Sequence, residues 1–429
     1  MPSSRVDPVP IAVLGGSSAF LPSLATAMVD RADDLPPLEV RLFGQDKDRT
    51  GAVAYFCSLH AQGRGVEHRY VACTDLEVAV SGAPLVVNQV RIGGFDGRSQ
   101  DERLALEFGF PGDETIGPGG LAAAIRATGP ILDMARVVER TAKDAWFVQV
   151  ANPMSMLLAS VTEETGLRTF GLCELPDHTL AEALALVDRT GPVETEYVGV
   201  NHQGWFLRVE DAGHDLLGEI FDRVAELENG GFFRVDASLM REYGALPLPY
   251  LRLLLHQDRE LVNMRAREAD RGQQLAALAN ELYAHYACTD DPELPQRLRE
   301  RSMPWNAMTI APVLTALLGG PPAMAYVSDP NAGHLPFLPD GAIVEKRATV
   351  TAEGLEAAPY RAQVQETHPA IASLLESIGE FEQLGARAAR RGDPEAAMAA
   401  LRAHPYEITE SAANQMLARM FHGAKRLVP

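Results

Sequence analysis

The sequence predicts an α/β protein built on a doubly wound parallel sheet, followed by a second mixed α+β, largely helical C-terminal domain. Three observations lead there: a strand, a glycine turn and a helix in immediate succession at the start, four further apolar runs separated by helical stretches, and a length of 429 residues. Alternating strands and helices favour a parallel sheet covered on both faces. A single hydrophobic core stops growing near roughly 250–300 residues, so two domains are expected. The division falls at 190/191, with a Rossmann-like, dinucleotide-type domain over 1–190 and a second domain over 191–429.

The opening "VPIAVLGGSSAFLPSLATAMV" places a buried strand at 10–14, a break at Gly15, Gly16, Ser17 and Ser18, and an amphipathic helix in "LPSLATAMVDRA". Glycines at such a turn let the backbone approach a pyrophosphate, and the helix N-terminus after Phe20 offers free N–H groups. An ordinary strand-to-helix turn is the alternative reading, since GGSSAF is not GxGxxG. The runs "LEVRLF", "APLVVNQV", "DAWFVQVAN" and "RTFGLC" continue the sheet. Ligands gather at the carboxyl ends of such strands. Here those ends carry Gly15, Asn88, Asn152 and Cys173, which places Cys173 at the same crevice as a bound dinucleotide.

Beyond 190, "TEYVGVNHQGWFLRVED" reads as strand, "GQQLAALANELYAHYA" as helix, "AMAYVSDPNAG" and "AIVEKRATVT" as strands, and the remainder as helices broken at two prolines. A net charge of −20 repels a nucleic-acid backbone. No apolar run approaches the ~20 residues that a membrane helix needs. The polar N-terminus lacks the apolar stretch of a secretory signal, and four scattered cysteines form no framework or CxxC pair. A cytoplasmic protein without nucleic-acid or membrane partners is expected.

The stretch "RIGGFDGRSQDERLALEFGFPGDETIGPGGLAAAIR" at 91–126 gathers Arg91, Arg98 and Arg126 with eight glycines between a strand and a helix, and reads as a loop bringing backbone close to a ligand. With this motif the whole chain resembles glycoside hydrolase family 4, the NAD- and divalent-metal-dependent glycosidases, and most of all their 6-phospho-β-glucosidase branch. In order, "GGSSAFLPSL" is similar to the family's nucleotide turn, "ANPMSML" to its Asn-Pro strand end, and "GLCELP" and "GVNHQGW" to its metal-ligand motifs. "LPLPYLRLLL" is similar to the segment bearing its catalytic tyrosine, "DPNAGHLPFLPDGAIVE" to its late strand pair, and "LRAHPYEITESAANQML" to its C-terminal helices.

The resemblance implies that Cys173 and His202 are the two protein ligands of a catalytic metal, Mn2+ or another divalent ion. Two protein ligands leave positions open for water and substrate hydroxyls. It further implies redox-assisted elimination, an exception to the two-carboxylate scheme of most glycosidases. NAD takes a hydride from carbon 3, the metal-polarised ketone acidifies the proton on carbon 2, a tyrosine removes that proton, the aglycone leaves carbon 1, and water adds before the hydride returns. Tyr250 is the candidate base, with Tyr243 its rival, and Glu174 the acid on the leaving group. Asn152 and Asn201 hold sugar hydroxyls, and Arg91, Arg98 and Arg301 suit a phosphate, a uronate or a sulfonate. A homodimer or homotetramer is expected from the resemblance alone.

Four departures from the family pattern stand out. Gly44 occupies the place of the acid that usually meets the adenosine ribose, leaving Asp46 as its substitute and NADP as the alternative cofactor. The GQET turn reads GDET, which puts Asp113 at the nicotinamide crevice. Met303, Pro304 and Trp305 replace small residues and imply a reshaped pocket, and "YLRYY" reads Tyr250-Leu251-Arg252-Leu253-Leu254. Two other functions fit the same residues: a sugar dehydrogenase or epimerase that oxidises without losing an aglycone, and a non-catalytic sensor of sugar or redox state.

Overall fold

A computed structural model describes residues 7–427 apart from 228–230, 302 and 304–305. The first half alternates as expected. β1 (Val9–Leu14) leads into α1 (Leu21–Val29), then β2 (Leu38–Phe43), α2 (Lys47–Gly63), β3 (Arg69–Cys73) and β4 (Leu85–Asn88). Two helices follow, α3 (Gly94–Glu107) and α4 (Gly117–Thr141), before β5 (Trp146–Gln149), α5 (Met154–Glu164), β6 (Arg168–Leu172) and α6 (Leu175–Leu186). Apolar side chains of β1, β4, β5 and β6 are buried on both faces, which is why these strands read as continuous apolar runs.

The second half opens with a hairpin, β7 (Glu194–Val200) and β8 (Gln203–Asp211), to which β9 (His214–Asp215) and β10 (Leu246–Pro247) add. It continues through α7 (Arg271–Tyr286), β11 (Ala323–Pro330), β12 (Ile343–Val350) and β13 (Leu355–Ala357) to α8 (Pro369–Arg391), α9 (Pro394–Ala403) and α10 (Glu410–Leu427).

Strands lie in the order β13-β12-β11-β6-β5-β4-β1-β2-β3 in a nine-stranded sheet. The six strands from β6 to β3 pair in parallel, in the doubly wound order 3-2-1-4-5-6. The chain reverses its winding between β1 and β4, and that switch point is where such sheets bind ligands. β11 to β13 extend the same sheet antiparallel beyond β6, so the large sheet runs across the division expected at 190/191. A second sheet of β7 to β10 packs its hairpin turn toward the carboxyl end of β6.

One expectation is corrected here. The glycine-rich stretch at 91–126 is mostly helix, forming α3 and the start of α4. Its glycines serve close packing of the chain on itself: a Cβ at Gly119 would lie 2.1 Å from the Asp113 carbonyl oxygen. Arg126 locks this unit, donating to both oxygens of Asp101 at 2.7 and 2.5 Å and to the Ile92 carbonyl at 3.0 Å. Arg126 is therefore a buried structural cation.

Candidate active site

Cys173 directly follows β6, and Glu174 caps α6, so the strand end delivers a thiol and a carboxyl to one point. The Cys173 sulfur lies 3.7 Å from Glu174 Oε2. The residue is 5% exposed, and burial pushes its thiol well above the ordinary range, with the Glu174 and Glu345 carboxylates adding and an Asn201 hydrogen bond opposing. Burial likewise raises the Glu174 carboxyl, with the Cys173 hydrogen bond and Arg301 pulling the other way. A raised carboxyl suits a proton donor.

The β7–β8 turn supplies Asn201 and His202. His202 adopts φ +67, a left-handed conformation costly for a residue with a side chain. This kink turns its ring onto Tyr250, with centroids 4.3 Å apart. Burial pushes the imidazole down to about 4, against the attraction of Asp113, and so keeps it neutral at physiological pH. Its Nδ1 is buried without a hydrogen-bond partner among the described residues, as are Asn201 Oδ1 and Asn152 Oδ1. Unpartnered buried polar atoms are uncommon in native interiors, and these three belong to residues at the β5 end and the β7–β8 turn.

Tyr250 sits in the short turn Pro249–Leu251 ahead of Arg252. Burial pushes its phenol up and Asp113 adds to this, while Arg98 and Arg252 draw it down. Arg252 is held by Glu260 at 3.2 Å and by the Pro249 carbonyl at 2.6 Å, with its guanidinium 5.5 Å from the phenol ring. Asp113 itself accepts from the Thr115 and Ile116 amides at 2.8 and 3.3 Å, so its carboxylate is fixed at the head of α4.

A cationic group borders this crevice. Arg98 pairs with Glu102 at 2.8 Å and with Glu114 at 2.6 Å, and Arg91 pairs with the other Glu114 oxygen. Burial lowers Arg91 and Arg301 to about 10, and mutual repulsion among Arg91, Arg98, Arg271 and Arg301 contributes. These guanidiniums stand close together inside a chain of net charge −20. Arg301 also lies over the Phe20 ring at 4.0 Å, which joins the cationic group to the turn after β1.

At that turn, Gly15 takes φ +87, and the Gly15 and Gly16 amides both donate to the Phe43 carbonyl, at 3.0 and 2.7 Å. A side chain at Gly16 would lie 2.6 Å from Leu42, so glycine permits β1 and β2 to close at this point. Ser18 Oγ accepts from the Phe20 amide at 3.4 Å, and the Ser17 carbonyl accepts from the Tyr283 hydroxyl at 2.5 Å.

The structure thus brings together Cys173, Glu174, Asn201, His202, Tyr250, Asp113, Arg98 and Arg301, with Asn152 at the neighbouring strand end. Three candidates have other employment. Asn88 donates to Gln149 at 2.8 Å and accepts from the Val90 amide at 3.2 Å, tying β4 to β5. Asp46 caps α2. Tyr243, the rival base, stacks on Trp205 at 4.7 Å in a separate core cluster. Of the three residues that replace small ones, Pro304 and Trp305 lie outside the described residues.

Two contributors were missed in the sequence. Glu345 of β12 is 1% exposed, accepts from Asn201 Nδ2 at 3.2 Å and from the Tyr197 hydroxyl, and is raised to about 8 by burial. A charged residue in the apolar run "AIVE" was its only signal. Arg271 opens α7 and had none.

Comparisons with known proteins follow this geometry. Residues 10–187 match the model described as family 4 glycosyl hydrolase, and residues 197–406 match the model of its C-terminal domain. The chain belongs to glycosyl hydrolase family 4. This family 4 chain is 25% identical over 438 residues to the probable 6-phospho-beta-glucosidase of Bacillus subtilis (strain 168), covering 98% of this chain and 97% of that one. Its fold is similar to that of the 6-phospho-beta glucosidase from Thermotoga maritima solved with manganese, NAD+ and glucose-6-phosphate, at a TM-score of 0.86, 23% identity and coverage of 98% and 99%. A 6-phospho-alpha-glucosidase from gut microorganisms, solved with NAD and glucose-6-phosphate, gives 0.87, 22% identity and 99% of each chain. No helix among the described residues of this family 4 chain is long and apolar enough to cross a membrane.

Proposed function

We propose that this chain hydrolyses a 6-phosphorylated glycoside with the help of a nicotinamide dinucleotide and a divalent metal. The observation that carries the reading is His202, a buried neutral imidazole whose Nδ1 has no partner among the described residues, stacked on Tyr250 and next in sequence to Asn201, which bonds toward Cys173. The residues present fit a metal with open positions: one imidazole nitrogen from His202 and one thiol sulfur from Cys173, with the amide oxygens of Asn152 and Asn201, which lack partners among the described residues, left for sugar hydroxyls. The glycine turn at Gly15 and Gly16, with Ser17, Ser18 and Phe20 after it, fits the pyrophosphate end of a dinucleotide at the topological switch point.

When bound, the dinucleotide supplies a hydride acceptor for carbon 3 of the sugar and the metal supplies the Lewis acidity that loosens the carbon 2 proton. Tyr250 receives that proton at its phenol oxygen, helped by Arg98 and Arg252, which favour the phenolate. Glu174 holds a proton through burial and gives it to the departing aglycone oxygen. Asn152 and Asn201 accept from sugar hydroxyls and fix the ring. Arg91, Arg98, Arg271 and Arg301 form a planar-donor surround suited to the phosphate.

Four free cysteines, three of them buried, support a reducing cytoplasmic setting. A homodimer or homotetramer belongs to the same proposal and is checked by light scattering. The test of function is aglycone release from nitrophenyl glycosides, plain and 6-phosphorylated, in both anomers, with and without dinucleotide and manganese. Release that needs both additions supports the reading. Stoichiometric reduced dinucleotide without free aglycone would instead establish a dehydrogenase.

A further inference from the structure

The adenosine end of the dinucleotide groove departs from what NAD recognition needs. Where the strand end normally presents a carboxylate to the ribose hydroxyls, the chain has Gly44, and the structure leaves no room for any replacement. A Cβ there would lie 2.3 Å from Thr50 Oγ1 and 3.1 Å from Ser17. The Thr50 hydroxyl is itself fastened to the Asp46 carbonyl at 2.6 Å. The next carboxylate, Asp46, is already engaged. Its Oδ1 accepts the Arg49 amide at 3.0 Å and its Oδ2 pairs with Arg49 Nε at 3.3 Å.

Arg49 is the group that this arrangement presents. Its side chain is 52% exposed, and its guanidinium lies 4.8 Å from the centroid of the Tyr283 ring. Tyr283 in turn donates to the Ser17 carbonyl at 2.5 Å, which ties Arg49 to the turn that faces the dinucleotide. The pair with Asp46 joins two half-exposed groups, and such pairs contribute only about 0–1 kcal/mol. Contact to Asp46 runs through Nε, so the two terminal nitrogens of the guanidinium retain donors with the geometry for phosphate oxygens.

We propose that the groove end formed by Gly44, Ser17 and Arg49 recognises a ribose 2′-phosphate, so that the chain binds NADP at least as tightly as NAD. The inference rests on the reading above that the turn at Gly15–Phe20 holds a dinucleotide. It goes beyond that reading by assigning the cofactor class to particular side chains. An exposed arginine whose carboxylate partner among the described residues, Asp46, is held as a helix cap attracts the extra phosphate of NADP through its terminal nitrogens. NAD lacks that group and gains nothing from Arg49.

The experiment is calorimetric titration of the full chain with oxidised NAD and with oxidised NADP at one fixed ionic strength, for the wild type, Arg49→Gln and Arg49→Lys. Thermal unfolding of each variant checks that the fold is intact. Wild type should bind NADP with a Kd equal to or below that for NAD. Arg49→Gln should weaken NADP by about tenfold or more, the usual worth of a charge-assisted hydrogen bond, and leave NAD within about twofold. Arg49→Lys should recover part of the loss. Wild-type binding of NAD tenfold tighter than NADP, or an equal loss of both in Arg49→Gln, would overturn the inference while leaving the dinucleotide reading intact. Failure of both dinucleotides to bind would overturn the inference and the dinucleotide reading together.

Discussion

Replacing Tyr250 by phenylalanine removes one oxygen and leaves the rest of the site in place. The ring keeps its stacking on His202 at 4.3 Å and its packing against the apolar cluster that includes Phe206, Leu246 and Leu248, so the fold should lose less than about 1 kcal/mol. The chemical step loses its proton acceptor. A positioned general base is worth about 10²–10⁴ in rate, or about 3–5 kcal/mol of barrier. Glu174, held protonated by burial, is no base in this site, and Asp113, fixed by the Thr115 and Ile116 amides, is a carboxylate, a far weaker base than a phenolate. A loss of at least about a hundredfold in kcat is therefore expected, at the low end if Asp113 takes over. The assay is aglycone release at saturating substrate, manganese and dinucleotide, comparing protium with deuterium at carbon 2. Tyr243→Phe is the control, because that ring packs on Trp205 away from His202, and should stay within about twofold. A Tyr250→Phe enzyme within threefold of wild type would refute the assignment, as would a large loss in Tyr243→Phe.

Three further outcomes follow from the geometry. Cys173→Ser should weaken Mn2+ binding by at least about tenfold, read by paramagnetic resonance of the free ion, and should abolish the sulfur charge-transfer band of the Co2+ form. Glu345 is raised to about 8 by burial, so between the ordinary carboxyl range and about 8 the unfolded chain has lost this proton and the folded chain keeps it. Stability of the metal-free protein should fall as pH rises through that window and level off above it. Glu345→Gln should reduce this dependence in denaturant titrations at pH 5, 6.5 and 8, leaving the share of Glu382, which burial also raises to about 8. Arg126→Ala leaves Asp101 buried without its bidentate partner and should cost about 3–5 kcal/mol of unfolding free energy, measured by urea titration.

Much of the site was legible because metal and redox chemistry place scarce residue types at strand ends. Cys173 ends a buried parallel strand, His202 marks a hairpin turn, and both stand out from their surroundings. Core strands were equally readable, since burial on both faces makes β1, β4, β5 and β6 continuously apolar. β3 escaped because it is a short edge strand that exposes Arg69, Val71 and Ala72 and buries only Tyr70 and Cys73, so "RYVAC" carries neither a clean alternation nor a continuous run. Strands β11 and β12 were visible locally, yet nothing local to a strand says which sheet it joins, and both extend the first sheet.

Glycines at 91–126 misled for a physical reason. Close approach of backbone to backbone requires glycine as much as close approach to a ligand, and Gly119 and Gly120 meet the chain's own carbonyls. Arginines were ambiguous in the same way. Arg126 and Arg98 occupy one motif, but only the fold shows that Arg126 is closed off by Asp101 while Arg98, paired with Glu102 and Glu114, lies near enough to Tyr250 to act on it electrostatically. Asp46 looked like a substitute for the missing ribose acid until its cap on α2 came into view. Glu345 and Arg271 reach the crevice from elements distant in sequence, which spacing along the chain does not encode.

The most direct measurement is to run the hydrolysis of a nitrophenyl 6-phosphoglycoside in D2O and analyse the released sugar by NMR. Removal of the carbon 2 proton by Tyr250, followed by its return from solvent, should leave deuterium at carbon 2 in each product molecule, with release dependent on dinucleotide and metal. Aglycone release with protium fully retained at carbon 2 would contradict proton abstraction there and with it the roles of Tyr250, His202 and Cys173.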